Sequence, residues 1–325
     1  MLNIIAMKRR QFLQNTALLS VAALTNTSEL FARAPLVNKV GLGLFSIPKM
    51  LDEDFEGAFA MLGKMGYKEV ESFGPYEFST EKAKSGWAAV TPQLGFKGSG
   101  FFNKTAEQFL NAASSNGINI PSMHTDLDTL QTKMGELAEA AHKIGAKYVV
   151  LPSVPDAERK TLDDYKRVAE KFNAIGAAAK KEGIKYAYHN HGYGLYKLDD
   201  GSMPLDIIFN QTDPGLVYFE MDVYWTVAGG ADPVELFKKH KGRYKMMHVK
   251  DMKEQKRFSG DGGNATQWIA LFPYMTSCGE GVLDLPKILT AAKQNGVDHF
   301  FVEQDMVASP EIALKKSVDY IKTLK

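Results

Sequence analysis

The chain has little cysteine, little net charge and no long apolar run. Cys278 is the one cysteine in 325 residues, which excludes an intramolecular disulfide and a thiolate metal cluster. A lone thiol of this kind reads as a packed or loop residue rather than a nucleophile. The formal net charge is +1. Residues 1–34 hold Lys8, Arg9, Arg10 and Arg33 against Glu29, so the remainder carries a net charge of −2. A nearly neutral body without a basic run argues against nucleic acid as substrate. No segment after residue 34 is apolar over the length a membrane span needs, so the body is expected to be soluble. No Gly-x-Gly-x-x-Gly follows the first predicted strand, which disfavours dinucleotide binding.

What is present begins with an address. Lys8-Arg9-Arg10-Gln11-Phe12-Leu13 resembles a twin-arginine export signal, with Gln14 where a lysine often stands. An apolar run from Thr16 to Leu24 follows, and Ala32-Arg33-Ala34 has the form of an A-x-A cleavage site. Residues 1–34 are therefore expected to be an export signal, and 35–325 a single catalytic domain in the periplasm or otherwise outside the cytoplasm. The competing reading is an amphipathic N-terminal helix.

After residue 34, short apolar runs alternate with helical patterns. Strands are predicted at 40–47, 67–73, 118–125, 146–152, 184–191, 215–223, 244–249 and 297–303. Helices are predicted at 52–66, 105–117, 132–145 and 162–183, from 205, from 233, at 285–296 and at 310–324. Eight strand–helix units in this length indicate α/β architecture of the (β/α)₈ barrel type. Two connections are long, 74–104 and 252–281. Both follow a strand and should lie over the carboxyl face, where Trp87, Phe96, Phe101, Phe102, Trp268, Phe272 and Tyr274 either cover a substrate or pack on one another.

The ends of four successive strands carry the chemistry. Tyr188-His189-Asn190-His191 ends the fifth, and alternation puts both histidines on one side. Glu220-Met221-Asp222 ends the sixth, His248-Val249-Lys250-Asp251 the seventh, and Val302-Glu303-Gln304-Asp305 the eighth. One strand-end histidine would ordinarily be a hydrogen-bonded core residue. Four such ends in succession point to one divalent metal held by His189, Asp222, His248 and Glu303, with His191 competing for the His189 position. Mixed imidazole and carboxylate ligation suits Mn²⁺, Zn²⁺, Mg²⁺, Co²⁺ or Fe²⁺ without choosing among them. Glu220 reads as buried and paired.

With these motifs the chain resembles the xylose isomerase-like barrels, a family of sugar phosphate isomerases and epimerases, over about residues 38–325. Gly279-Glu280-Gly281-Val282-Leu283-Asp284 is similar to the loop before the family's last barrel helix. The resemblance implies a divalent metal held from strands five to eight, usually by Glu, Asp, His and Glu. This chain departs at the first position, where His189 replaces the Glu that pairs with the last Glu as acid and base. Two-base epimerisation is therefore not expected to carry over unchanged.

The expected chemistry is proton abstraction beside a carbonyl, with the metal stabilising the enediolate. Glu303 is the expected base, with His191 or Lys250 as partner acid. Lys250 could instead form an ion pair with Asp251 or Asp222. His124, Trp225, Glu71 and Trp268 are expected to contact substrate, although Glu71 also fits a structural pair inside the barrel. Returning the proton gives an exported sugar or keto-sugar isomerase or epimerase. A leaving group one carbon further gives a lyase or dehydratase, and addition of water a hydratase, on keto-sugars or 3-keto-glycosides. A non-catalytic sugar-binding barrel and an endonuclease-like phosphodiesterase are the competing readings, the latter opposed by the charge of the body. Oligomeric state is not legible, and an oligomer is compatible with everything above.

Overall fold

Strand–helix alternation closes on itself. The computed structural model describes residues 34–325, so the twin-arginine-like segment lies outside the described residues. Eight parallel strands form the barrel: β1 (Val40–Gly43), β2 (Glu69–Phe73), β3 (Asn119–His124), β4 (Tyr148–Leu151), β5 (Lys185–His189), β6 (Val217–Asp222), β7 (Tyr244–Val249) and β8 (His299–Val302). Each pairs with its neighbour in sequence, and β8 returns to β1 through Val40 beside Phe300. This is the expected (β/α)₈ barrel.

The outer helices follow the expected local chemistry. Leu162–Lys181 starts at a capping box in which Thr161 and Asp164 satisfy each other's backbone N–H groups. It buries Tyr165, Val168, Ala169, Phe172, Ile175 and Ala179 at helical spacing. The predicted helix 52–66 is two helices, Pro48–Glu53 and Phe55–Met65, because Asp54 leaves the helical conformation and caps the second through Gly57 N at 2.9 Å. That second helix stops at Gly66, whose φ of 94° is left-handed. The first strand is shorter than predicted, since Leu44–Ser46 turns into a 3₁₀ helix.

Both long connections contain helices that the sequence pattern missed, Glu81–Leu94 and Ala265–Leu271. Asp251–Met252 and Met275–Thr276 also pair as a small antiparallel ribbon. In each of the two helices one residue is buried, Thr91 and Leu271 respectively. Of their apolar residues, Trp87, Leu94, Trp268 and Leu271 pack on the core, too few for a strong amphipathic signal.

Inside the barrel, Tyr148, Val150, Ala187, Met246 and Phe301 form an apolar plug. Polar residues lie on both sides of it: Glu69 and His299 towards the amino ends of the strands, and the candidate site towards the carboxyl ends.

Candidate metal and active site

Register brings the strand ends together before any side chain is considered. His189 lies beside Glu220, Asp222 beside His248, and Phe301 beside His248. Glu303 N donates to Val249 O at 3.1 Å, which carries the last carboxylate to the same level. Asp222 Oδ1 accepts from Trp225 N at 2.9 Å and so caps the helix Val223–Ala228. Its other oxygen, Oδ2, is left facing the barrel axis.

Two overlapping groups result, joined at His248. In the lower one, Glu220 Oε2 lies 2.8 Å from His124 Nε2 and 2.9 Å from His189 Nδ1. Glu71 Oε1 lies 2.7 Å from His124 Nε2 and 2.6 Å from His248 Nε2, and the other oxygen of Glu71 accepts from Ser122. In the upper one, Asp222, His248 and Glu303 face one another, with His248 Nδ1 at 2.8 Å from Glu303 Oε2. His189 Nε2 reaches this group at 3.8 Å from Asp222 Oδ2, and His248 Nδ1 is 3.9 Å from the same oxygen.

Lys250 is buried above the upper group. Its ammonium donates to both oxygens of Asp305, at 3.1 and 3.0 Å, and lies 3.0 Å from Asp222 Oδ2 and 2.7 Å from Glu303 Oε2. Burial disfavours the charged amine, but Asp222, Asp305 and Glu303 outweigh it and hold the pKa well above the ordinary lysine value. Burial likewise opposes ionisation of Glu303, yet the charges of His248 and Lys250 hold its carboxyl well below the usual range. Asp305 is pushed up to about 7 by burial, against the opposing pull of Lys250. His124 is raised to about 9 because Glu71 and Glu220 overcome its burial. Burial, and then the charge of Lys250, push His191 down to about 3, so this imidazole is neutral.

The residues fit a divalent cation. Asp222 Oδ2 is buried, and its one close cationic neighbour among the described residues is the Lys250 ammonium at 3.0 Å. The same oxygen faces two imidazole nitrogens at 3.8 and 3.9 Å, spacings that suit ligand atoms each about 2.1 Å from one shared ion. The opposite nitrogen of each ring is fixed by a carboxylate, His189 by Glu220 and His248 by Glu71, as metal-binding imidazoles usually are. Five carboxylates (Glu71, Glu220, Asp222, Glu303 and Asp305) meet one ammonium and three imidazoles, an acidic excess that a divalent charge would balance.

Above this floor opens a cavity of about 420 Å³. His191, Trp225, Trp268 and Phe272 line one side, and Phe45, Phe73, Trp87 and Leu94 the other. His191 lies 4.2 Å from the Trp268 ring centre and 5.9 Å from that of Trp225. Its Nδ1 is buried without a hydrogen-bond partner among the described residues.

The profile of the family described as xylose isomerase-like TIM barrel matches residues 64–324. The chain belongs to that family. Among curated proteins it is similar to inosose dehydratases, with 30% identity to that of Clostridium perfringens (61% of this chain, 68% of the relative). With that of Clostridium tetani the identity is 29%, over 59% of this chain and 65% of the relative, so slightly less than two thirds of the latter's length is matched. Among solved structures, a sugar phosphate isomerase/epimerase from Parabacteroides distasonis superposes with a TM-score of 0.69 at 24% identity, covering 90% of this chain and 97% of that one. The IOLI protein with a bound zinc atom superposes with a TM-score of 0.59 at 14% identity, covering 88% and 96%. The family and these relatives place the chain among enzymes.

In this xylose isomerase-like barrel the four expected ligands, His189, Asp222, His248 and Glu303, all reach the axis, but His189 is also drawn into the lower carboxylate pair. His191 lies outside both groups and stands in the aromatic wall. Lys250 takes Asp222 as a partner and not Asp251, whose carboxylate instead accepts the backbone N–H groups of Met252, Gly279, Gly281 and Leu283. His124 and Glu71 line the cavity, yet Glu71 is engaged with His124, His248 and Ser122, and His124 Nε2 with Glu71 and Glu220. Trp225 and Trp268 line it as rings. Asp305 joins the site as a partner of Lys250; two residues after Glu303, it shares that residue's side of the strand, a spacing that signals its place. Cys278 is buried, as a packed thiol should be.

Proposed function

We propose that the protein is a keto-sugar lyase of the dehydratase type, acting by proton abstraction beside a carbonyl, with a divalent cation held by Asp222, His248, Glu303 and His189. The observation that carries this reading is the state of Glu303. Its Oε2 is anchored by His248 and Lys250, whereas Oε1 accepts no hydrogen bond among the described residues and is not sealed from the cavity. An anchored carboxylate with one open oxygen is placed to take a proton from a carbon held over the floor. When bound, the cation supplies Lewis-acid stabilisation of negative charge on the substrate oxygen. The C–H bond breaks, a C=C bond forms and the hydroxyl on the next carbon departs. It leaves as water after receiving the proton that Glu303 removed. His191, neutral, stands in the cavity wall beside Trp225 and Trp268 and packs against the bound sugar.

Elimination is favoured over two-base epimerisation because the opposing base is missing. At the end of β5, His189 has Nδ1 committed to Glu220 and Nε2 turned towards Asp222. The inosose dehydratase relatives support the same choice, and a zinc-binding protein of the same fold, IOLI, is compatible with a divalent ion here. The test is incubation of the zinc- or manganese-loaded protein with inososes and 3-keto-sugars in deuterated water. Deuterium incorporation at one carbon, together with an unsaturated product, is expected. Exchange without elimination would move the reading to isomerisation, and neither process would end it. We also propose that residues 1–34 direct export and leave 35–325 as the mature domain, which mass measurement of the exported protein checks.

A further inference from the structure

We infer that the substrate carries an apolar, ring-sized group on its sugar, and that the two helices over the cavity mouth form the subsite for that group. The inference rests on the keto-sugar reading of the floor and adds the substituent. Ala83, Gly86, Trp87, Val90 and Leu94 line the cavity from Glu81–Leu94. Ala265, Trp268, Ile269 and Phe272 line it from Ala265–Leu271 and the turn that follows. Both sets repeat at the spacing of one helical face. Trp87, Leu94, Trp268 and Phe272 pack partly on the core and partly face the cavity, and Val90 and Ile269 add exposed apolar surface at its mouth.

Val90 and Ile269 are 38% and 39% exposed, two of six large hydrophobic residues so exposed among those described, and both belong to this one cavity. Scattered exposed apolar residues need no explanation, but two on separate helices at one mouth call for a cover. The indole N–H groups of Trp87 and Trp268 are tied to Lys97 O at 3.0 Å and Gly262 O at 2.7 Å, so the rings present carbon to the cavity. A bare polyhydroxylated ring would leave these walls wetted and its own hydroxyls short of partners. A phosphate is disfavoured too. Lys250 is the one lysine or arginine among the lining residues, and three carboxylates already surround it. Phenyl and other aryl glycosides in the keto form fit both zones at once, sugar on the polar floor and ring between the helices.

The test measures binding of phenyl and methyl D-glucopyranosides, both anomers of each, and of glucose 6-phosphate to the metal-loaded full-length protein by calorimetry. These alcohols lack the carbonyl, so binding is read without turnover. One phenyl anomer should bind at least about tenfold more tightly than its methyl counterpart and than the phosphate. In the double variant Val90→Ser/Ile269→Ser, with an unchanged circular dichroism spectrum, that ratio should fall below about threefold. Phenyl and methyl affinities within twofold, no measurable phenyl binding, tighter phosphate binding, or a ratio unaltered in the variant would overturn the inference. Turnover of the same glycosides oxidised at C3 is read separately as release of phenol or methanol. C1, next to the C2–H beside their carbonyl, bears the glycosidic oxygen, which takes the place of the departing hydroxyl and receives the proton. Phenyl preference without turnover would remove the floor chemistry and leave the subsite. Turnover without phenyl preference would do the reverse.

Discussion

The same barrel holds acid–imidazole pairs at both ends, and they are built differently. Glu69 and Glu71 stand two residues apart on β2. Glu69 Oε2 meets His299 Nδ1 at 2.8 Å in a pair whose imidazole is 19% exposed, beside a smaller cavity at the amino end. Glu71 meets His124 and His248 in a closed network that continues through Glu220, Glu303, Lys250 and Asp305. The plug of Tyr148, Val150, Ala187, Met246 and Phe301 separates the two. The amino-end pair is a single tie, partly open to water through His299, whereas the charges at the carboxyl end are all buried and must be matched group by group. That requirement makes the carboxyl end sensitive to single atoms, and so suited to holding a cation and a base in fixed positions.

The sharpest way to break the comparison is Glu303→Gln, which keeps shape and removes the base. Turnover of a keto-sugar substrate should fall by roughly 10²- to 10⁴-fold, and unchanged turnover would reject Glu303 as the base. Next comes Glu220→Gln, which disturbs the group that orients His189. Zinc affinity, measured by chelator competition, should weaken by about 10- to 100-fold. At the opposite end, Glu69→Gln, whose amide can still hydrogen-bond His299, should leave zinc affinity unaltered. A large loss of zinc binding in that variant would mean that the two ends are coupled through the plug.

The smallest effect concerns a histidine in neither layer. His240 stacks on Phe209 at 3.6 Å, and burial pushes it down to about 4, against the opposing pull of Asp206. The unfolded chain takes up a proton near the ordinary histidine value of about 6.5, while the fold resists protonation until near 4. Stability should therefore decline as pH falls through that window. In His240→Phe this part of the decline should vanish, as thermal melts at pH 7 and pH 5 would reveal.

The strands, most of the helices and the convergence of four strand ends were legible because they rest on periodicities of two and 3.6 residues and on alternation across a strand. The two helices over the mouth were not, since their apolar faces are divided between the core and the cavity. Asn264 and Thr80, the residues that cap them, were the available signals. Nor could alternation separate His189 from His191. They face the same way, and only the height of Glu220 and Asp222 on the next strand draws the first into the carboxylates and leaves the second against Trp268.

By itself the sequence determined the order of strands and helices, the closed parallel barrel and the set of side chains at its carboxyl end, because these follow from local spacing. Tertiary structure alone decided which nitrogen meets which oxygen, that Lys250 rests between Asp222, Glu303 and Asp305, and that two helices frame the entrance. Those contacts join residues as far apart as the 177 positions between Glu71 and His248, and no local pattern carries information over that distance.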